Sequence, residues 1–130
     1  MSSLRVEPVV MDSFGIEPAL AGDRRDQLSV KLTGTGDMAA AAPLGSYCKE
    51  LQGEVKRLSL AAVEFDVRAL YFLNSSCLKA FIAFICGLSA QGLQCEVRFV
   101  TDARLAWQKR SLTALERMSP STVSITEKVN

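Results

Sequence analysis

The sequence predicts an α/β fold: a small mixed, mostly parallel β-sheet with helices packed on it. Two observations predict it. Stretches that alternate apolar and polar residues take turns along the chain with stretches whose apolar residues fall three or four apart. Strands that alternate with helices need crossover connections, and these favour parallel pairing. The second observation is the segment from Val63 to Leu88. It passes from a strand pattern through the polar turn Asn74-Ser75-Ser76 straight into a nearly all-apolar helix. A helix apolar nearly all round belongs deep against other elements. The alternative is that Phe81 or Phe84 reaches the surface as part of a partner groove.

Each element follows from its residues. Leu4 to Met11 reads as an edge strand, because Pro8 lacks the N–H that a central strand needs. Asp12 to Asp26 carries Gly15, Pro18, Gly22 and several charges, and reads as loop. Leu28 to Thr33 sets Leu28, Val30 and Leu32 against Ser29, Lys31 and Thr33, a strand buried on one face. Pro43 to Leu58 places Leu44, Tyr47, Leu51, Val55 and Leu58 at helical spacing. Val63, Phe65 and Val67 mark the next strand, and Ser76 to Ser89 the apolar helix, which Gly92 stops. Leu93 to Val100 alternates as a third strand. Arg104 to Met118 reads as a helix with Leu105, Leu112, Leu115 and Met118 inward, capped by Thr101-Asp102. Trp107 falls beside that stripe, at the rim of the core or as an anchor for a partner. Pro120 closes the helix, and Val123 and Ile125 mark a last short strand. The expected core is Phe65, Val67, Leu78, Ile82, Ile85, Val97, Phe99 and Leu115.

The 130 residues suit one domain, long enough to bury about two thirds of the unfolded surface. A net charge of +1 and the absence of a long basic run argue against a nucleic-acid surface. Histidine is absent, so a serine or cysteine nucleophile has no usual base. The four cysteines, Cys48, Cys77, Cys86 and Cys95, contain no C-x-x-C pair, and no metal or other cofactor is expected. Cys86 and Cys95 fall in apolar patterns, where a free thiol behaves as a small buried hydrophobe and suits a reducing cytoplasm. The apolar run from Ala80 to Leu88 is too short to insert across a membrane. Nothing early in the sequence resembles a signal peptide.

The turn Asn74-Ser75-Ser76 has several readings. Asn and Ser are common helix N-caps, worth roughly 1 kcal/mol without further function. The first N–H groups of a helix also lack internal partners and sit at its positive end, where they hold phosphate. The turn is therefore also a candidate phosphoacceptor or anion site. It matches the glycosylation pattern N-x-S as well, which would require secretion. Gly34-Thr35-Gly36 lacks the lysine and spacing of a P-loop and reads as a turn that lets two backbones approach.

These motifs resemble the signature of STAS domains, the sulfate transporter and anti-sigma factor antagonist family. There a strand ends in a hydrophobic pair followed by Asp-Ser-Ser-Gly or Asp-Ser-Thr-Gly and an apolar helix. In this chain Asn74 stands at the acid, Ser75 at the phosphorylated serine, Ser76 at the second hydroxyl and Cys77 at the glycine. Leu32-Thr33-Gly34-Thr35-Gly36-Asp37 is similar to the family's early Leu-x-Gly-x-x-Asp. Arg117-Met118-Ser119 resembles its late Met-Ser-Gly turn. The ordered set runs from Leu28 to about Thr126.

The resemblance implies a STAS-like domain over 28–126, with 1–27 as an N-terminal extension and 127–130 as a tail. It implies a cytoplasmic, non-enzymatic protein-interaction module, partnered by an anti-sigma factor, a serine kinase-like protein or another regulatory protein. Ser75 would be the phosphoacceptor. Asn74, Ser76, Cys77, Thr35, Gly36 and Asp37 would line the interaction surface. Asn74 and Cys77 depart from the family pattern, and loss of phosphorylation there would leave a constitutive binding module. Related readings are a phosphoprotein controlling a diguanylate cyclase and an accessory subunit of a lipid-transport ATPase.

Overall fold

The computed structural model describes residues 6–20 and 26–128. Nine elements follow in order: β1 (Val9–Val10), β2 (Phe14–Leu20), β3 (Gln27–Gly36), α1 (Met38–Leu58), β4 (Ala62–Leu73), α2 (Ser75–Ala90), β5 (Glu96–Thr101), α3 (Ala106–Met118) and β6 (Val123–Glu127). The strands form one sheet in sequence order. The β1–β2 and β2–β3 pairs are antiparallel, and the β3–β4, β4–β5 and β5–β6 pairs are parallel. Parallel neighbours that step steadily in one direction place all their crossover helices on one face. A single apolar cluster accordingly joins residues of α1, α2 and α3 to the inward side of the sheet.

Phe65 is the centre of that cluster. Its ring meets Phe81 at 5.1 Å and Phe84 at 5.7 Å edge-on, and stacks on Phe99 at 5.4 Å. Such arrangements suit the ring quadrupole. The opposite face of the sheet is polar. Arg98 pairs with Glu96 at 3.1 Å and Glu64 at 3.7 Å, and Ser124 donates to Glu96 at 3.2 Å.

Strand β4 carries two bulges against β3. Lys31 pairs with Asp66 but Thr33 with Ala69, and Gly34 pairs with Leu70 but Thr35 with Phe72. Each irregularity gives β4 one extra residue. The inward residues therefore run Val63, Phe65, Val67, then Leu70, then Leu73, all buried. Tyr71 and Phe72 consequently both emerge on the surface, 64% and 48% exposed.

The structure corrects several sequence expectations. The segment from Asp12 to Asp26 is not all loop, because Phe14–Leu20 forms β2; residues 21–25 lie outside the described residues. Pro18 is tolerated there because β1 reaches only Gly15 and Ile16, so no ladder bond on that side needs its N–H. Of the expected first edge strand, Val9–Val10 forms β1, and Leu4 lies outside the described residues. Helix α1 starts at Met38 and carries Pro43 inside it. The cap at Asp37 and the run of alanines after Met38 offset the lost bond.

Gly34-Thr35-Gly36 is the end of β3 rather than a turn, although both glycines do admit close backbones. Leu93 lies before β5, its N–H closing the end of α2 on the Leu88 carbonyl. Helix α3 begins at Ala106, and its N-cap is Leu105, without a side-chain bond. Met118 is 44% exposed because α3 ends there, and Leu105 is only half-buried. Phe65, Val67, Ile85, Val97, Phe99 and Leu115 are buried as expected. Leu78 and Ile82 are half-buried, on the flank of the stripe of α2 that carries Cys77, Phe81, Phe84 and Leu88. Cys86 is exposed on the outer side of the same helix.

Candidate functional site

The candidate site lies where β3 and β4 end side by side and α1 and α2 begin. Gly36 and Leu73 are register partners at the last rung of the ladder. A Cβ on Gly36 would fall 2.8 Å from Leu73 Cδ1 and 3.2 Å from the Phe72 carbonyl oxygen. The bare glycine thus lets the two strand ends close together. Asn74 N–H donates to the Gly36 carbonyl at 2.8 Å and locks the two exits.

Both helices are capped by side chains at this point. Asp37 is the N-cap of α1 and accepts from Ala39 N at 3.0 Å and Ala40 N at 3.3 Å. Asn74 is the N-cap of α2, and its Oδ1 accepts from Cys77 N at 2.9 Å. Asn74 therefore does what a plain cap does. Its amide engages Cys77 N–H and leaves the Ser75 and Ser76 N–H groups, the first two of the helix, without intrahelical partners.

Ser75 is exposed at the first position of α2, and Ser76 is half-buried. The Ser76 hydroxyl donates to Met38 Sδ at 3.6 Å. Cys77 is buried and turned inward, its thiol donating to the Asp37 carbonyl at 3.4 Å. A side chain at this position therefore leaves the Ser75 side open. Asn74, Ser75, Ser76, Cys77, Gly36 and Asp37 are thus held in one place by direct contacts or chain adjacency. Thr35 stands one rung back, opposite Phe72.

The sequence reading missed the apolar surroundings of this turn. Met38, the first residue of α1, is 71% exposed, and Phe72 lies two residues before the cap. The two bulges turn Tyr71 out beside Phe72, and a bulge leaves no mark in simple alternation. Gln108 was also missed. It is fully buried, and its side-chain amide donates to the carbonyls of Val67 and Leu70, where β4 has run past β5. Trp107 Nε1 donates to the Leu70 carbonyl as well, at 3.1 Å.

Thiol chemistry is disfavoured at the buried cysteines. Burial pushes the Cys48 thiol up to about 12 and the Cys95 thiol up to about 11. Burial, with the nearby Asp37 charge, raises Cys77 also. A raised thiol supplies little thiolate at neutral pH. Among the described residues no group of histidine, cysteine, aspartate or glutamate is placed to hold a metal. No helix among them is long and apolar enough to cross a membrane.

No family model matches the sequence, and no curated protein matches it. Solved structures do. An anti-sigma factor antagonist from Mycobacterium paratuberculosis shares the fold with a TM-score of 0.66 at 21% identity, over 90% of this chain and 88% of the other. The phosphorylated form of the Bacillus cell fate determinant SpoIIAA gives a TM-score of 0.55 at 12% identity, over 88% and 91%. These similarities show the STAS-like α/β fold that the ordered motifs implied.

Proposed function

We propose that this chain is a non-enzymatic regulatory module that binds a protein partner through the turn at the start of α2, with Ser75 as a phosphoacceptor that switches binding. The observation that carries the reading is the exposure of Ser75 at the positive end of α2, with exposed Phe72 two residues before the cap and exposed Met38 against Ser76. Apolar side chains around a polar centre supply the contact area, and the centre supplies the control. A phosphate on Ser75 adds about −1.5 to −2 charges at neutral pH. The unpartnered N–H groups of the turn and the helix dipole would hold it. The same charge would oppose an apolar or acidic partner surface. The two solved structures of this fold, one described as an anti-sigma factor antagonist and one as a phosphorylated form, support the direction of this reading. An anti-sigma factor or serine kinase-like protein is the partner class it favours, in a cytoplasmic setting.

The test is capture of partners from the native host with wild-type, Ser75→Ala and Ser75→Asp chains, alongside intact-mass analysis of the recovered protein. Ser75→Ala should retain the partner and Ser75→Asp should weaken its capture. The carboxylate carries less charge than a phosphate, so its effect is the smaller of the two. Equal capture by all three chains would reduce the turn to a plain cap.

A further inference from the structure

Met38 occupies an unusual place for an oxidisable side chain. It is the first residue of α1, it is 71% exposed, and its sulfur accepts the Ser76 hydroxyl across the gap between two helix starts. The neighbouring donors are already divided. Asp37 takes the N–H groups of Ala39 and Ala40, and Asn74 takes that of Cys77. The Ser75 and Ser76 N–H groups and the Ser76 hydroxyl remain. A thioether is a weak acceptor for such donors, whereas a sulfoxide oxygen is a strong one.

We propose that Met38 is a sulfoxidation site, with peroxide as the oxidant, and that the sulfoxide oxygen caps the start of α2. The sulfur lone pair attacks one peroxide oxygen. An S–O bond forms, the O–O bond breaks, and the departing hydroxide takes the hydroxyl proton and leaves as water. Sulfur loses two electrons and the peroxide gains them. The new oxygen projects from a sulfur that already lies 3.6 Å from Ser76 Oγ. It accepts from the Ser76 hydroxyl and the adjacent N–H groups, and so competes with any anion or partner at that turn. The step is reversible by methionine sulfoxide reductases. Its consequence for partner binding rests on the function proposed above; the capping itself does not.

The experiment treats the full chain with hydrogen peroxide in a Cys86→Ser background, because Cys86 is an exposed thiol that peroxide also attacks. Peptide masses give the order of methionine oxidation, and amide exchange reports the turn. Met38 should oxidise ahead of Met118, which is 44% exposed. Exchange at Ser75 and Ser76 should then slow about tenfold, the scale of one net hydrogen bond, and a Met38→Leu chain should show no slowing. Oxidation of Met118 with Met38 spared, or an oxidised Met38 with unchanged exchange, would overturn the proposal. Slowed exchange in a protein whose Ser75 variants capture partners equally would remove the binding function and leave the sulfoxide cap standing.

Discussion

Gln108 of α3 holds Val67 of β4 by its backbone. The buried amide donates to the Val67 carbonyl and to that of Leu70, while its Oε1 accepts from Asp102 N at 2.8 Å. One side chain thus serves the stretch of β4 that β5 no longer pairs. Removing it strips the Val67 carbonyl and the Asp102 N–H of this partner, at about 1–3 kcal/mol for each, while the Leu70 carbonyl keeps Trp107 Nε1. Gln108→Ala should lower stability by roughly 2–4 kcal/mol. Gln108→Glu should do no better, since an ionised carboxylate cannot donate to a carbonyl. Urea midpoints for the two variants check both statements.

The aromatic centre makes a second prediction. Phe65 is completely buried and touches three other rings. Phe65→Ala should cost about 3–5 kcal/mol. Ile82 is only half-buried on the flank of α2. Ile82→Ala should cost less than the roughly 2–5 kcal/mol of a core truncation. Equal losses in chemical denaturation would mean that the flank of α2 is as tightly packed as its centre.

The turn itself can be probed without a partner. Asn74→Ala removes the acceptor of Cys77 N–H and should cost about 0.5–2 kcal/mol. Asn74→Asp keeps a good cap and should stay close to wild type in stability. Gly36→Ala should be destabilising, because the new methyl meets Leu73 Cδ1 and the Phe72 carbonyl at the last rung. Thermal unfolding of the three variants distinguishes these cases.

Acid should weaken the fold through Asp102. Its hydrogen bonds to Arg104, first from the guanidinium and then from the backbone N–H, hold this carboxyl down at about 2. An unfolded aspartate titrates near 3.9. A depressed folded value stabilises the protein fully above the unfolded one, and that contribution disappears as pH falls from about 4 to about 2. Stability measured across this window should drop, and Asp102→Asn should flatten the drop. An unchanged slope in the variant would assign the acid sensitivity to other carboxylates.

Local patterns made much of this architecture legible. Alternation at Leu28, Val30 and Leu32 and at Val63, Phe65 and Val67 marked two strands because each is buried on one side only. Asn74 was readable as a cap because its side chain acts within its own turn. What escaped depends on distant neighbours. The strand at Phe14–Leu20 contains Gly15 and Pro18, and only the position of β1 explains why Pro18 is harmless there. Asp102 looked like the cap of α3, but it binds Arg104 instead. Gln108 reads as an ordinary surface residue until the unpaired end of β4 is placed above it. Met38 and Phe72 became parts of the site only when two helix starts and a bulge were assembled.

The two bulges of β4 separate what the core counts from what the surface shows. Measured against β3, Arg68 and Tyr71 are the supernumerary residues, since Val67, Leu70 and Leu73 keep the inward places with or without them. Both border one shallow cleft with Asp102, Arg104 and Leu105. A chain lacking Tyr71 would still present Leu70 and Leu73 to the interior and Phe72 to solvent, in the same phase as Gly34, Thr35 and Gly36. The sheet thereby has room to gain or lose one outward side chain beside the α2 turn while its interior sequence stands still.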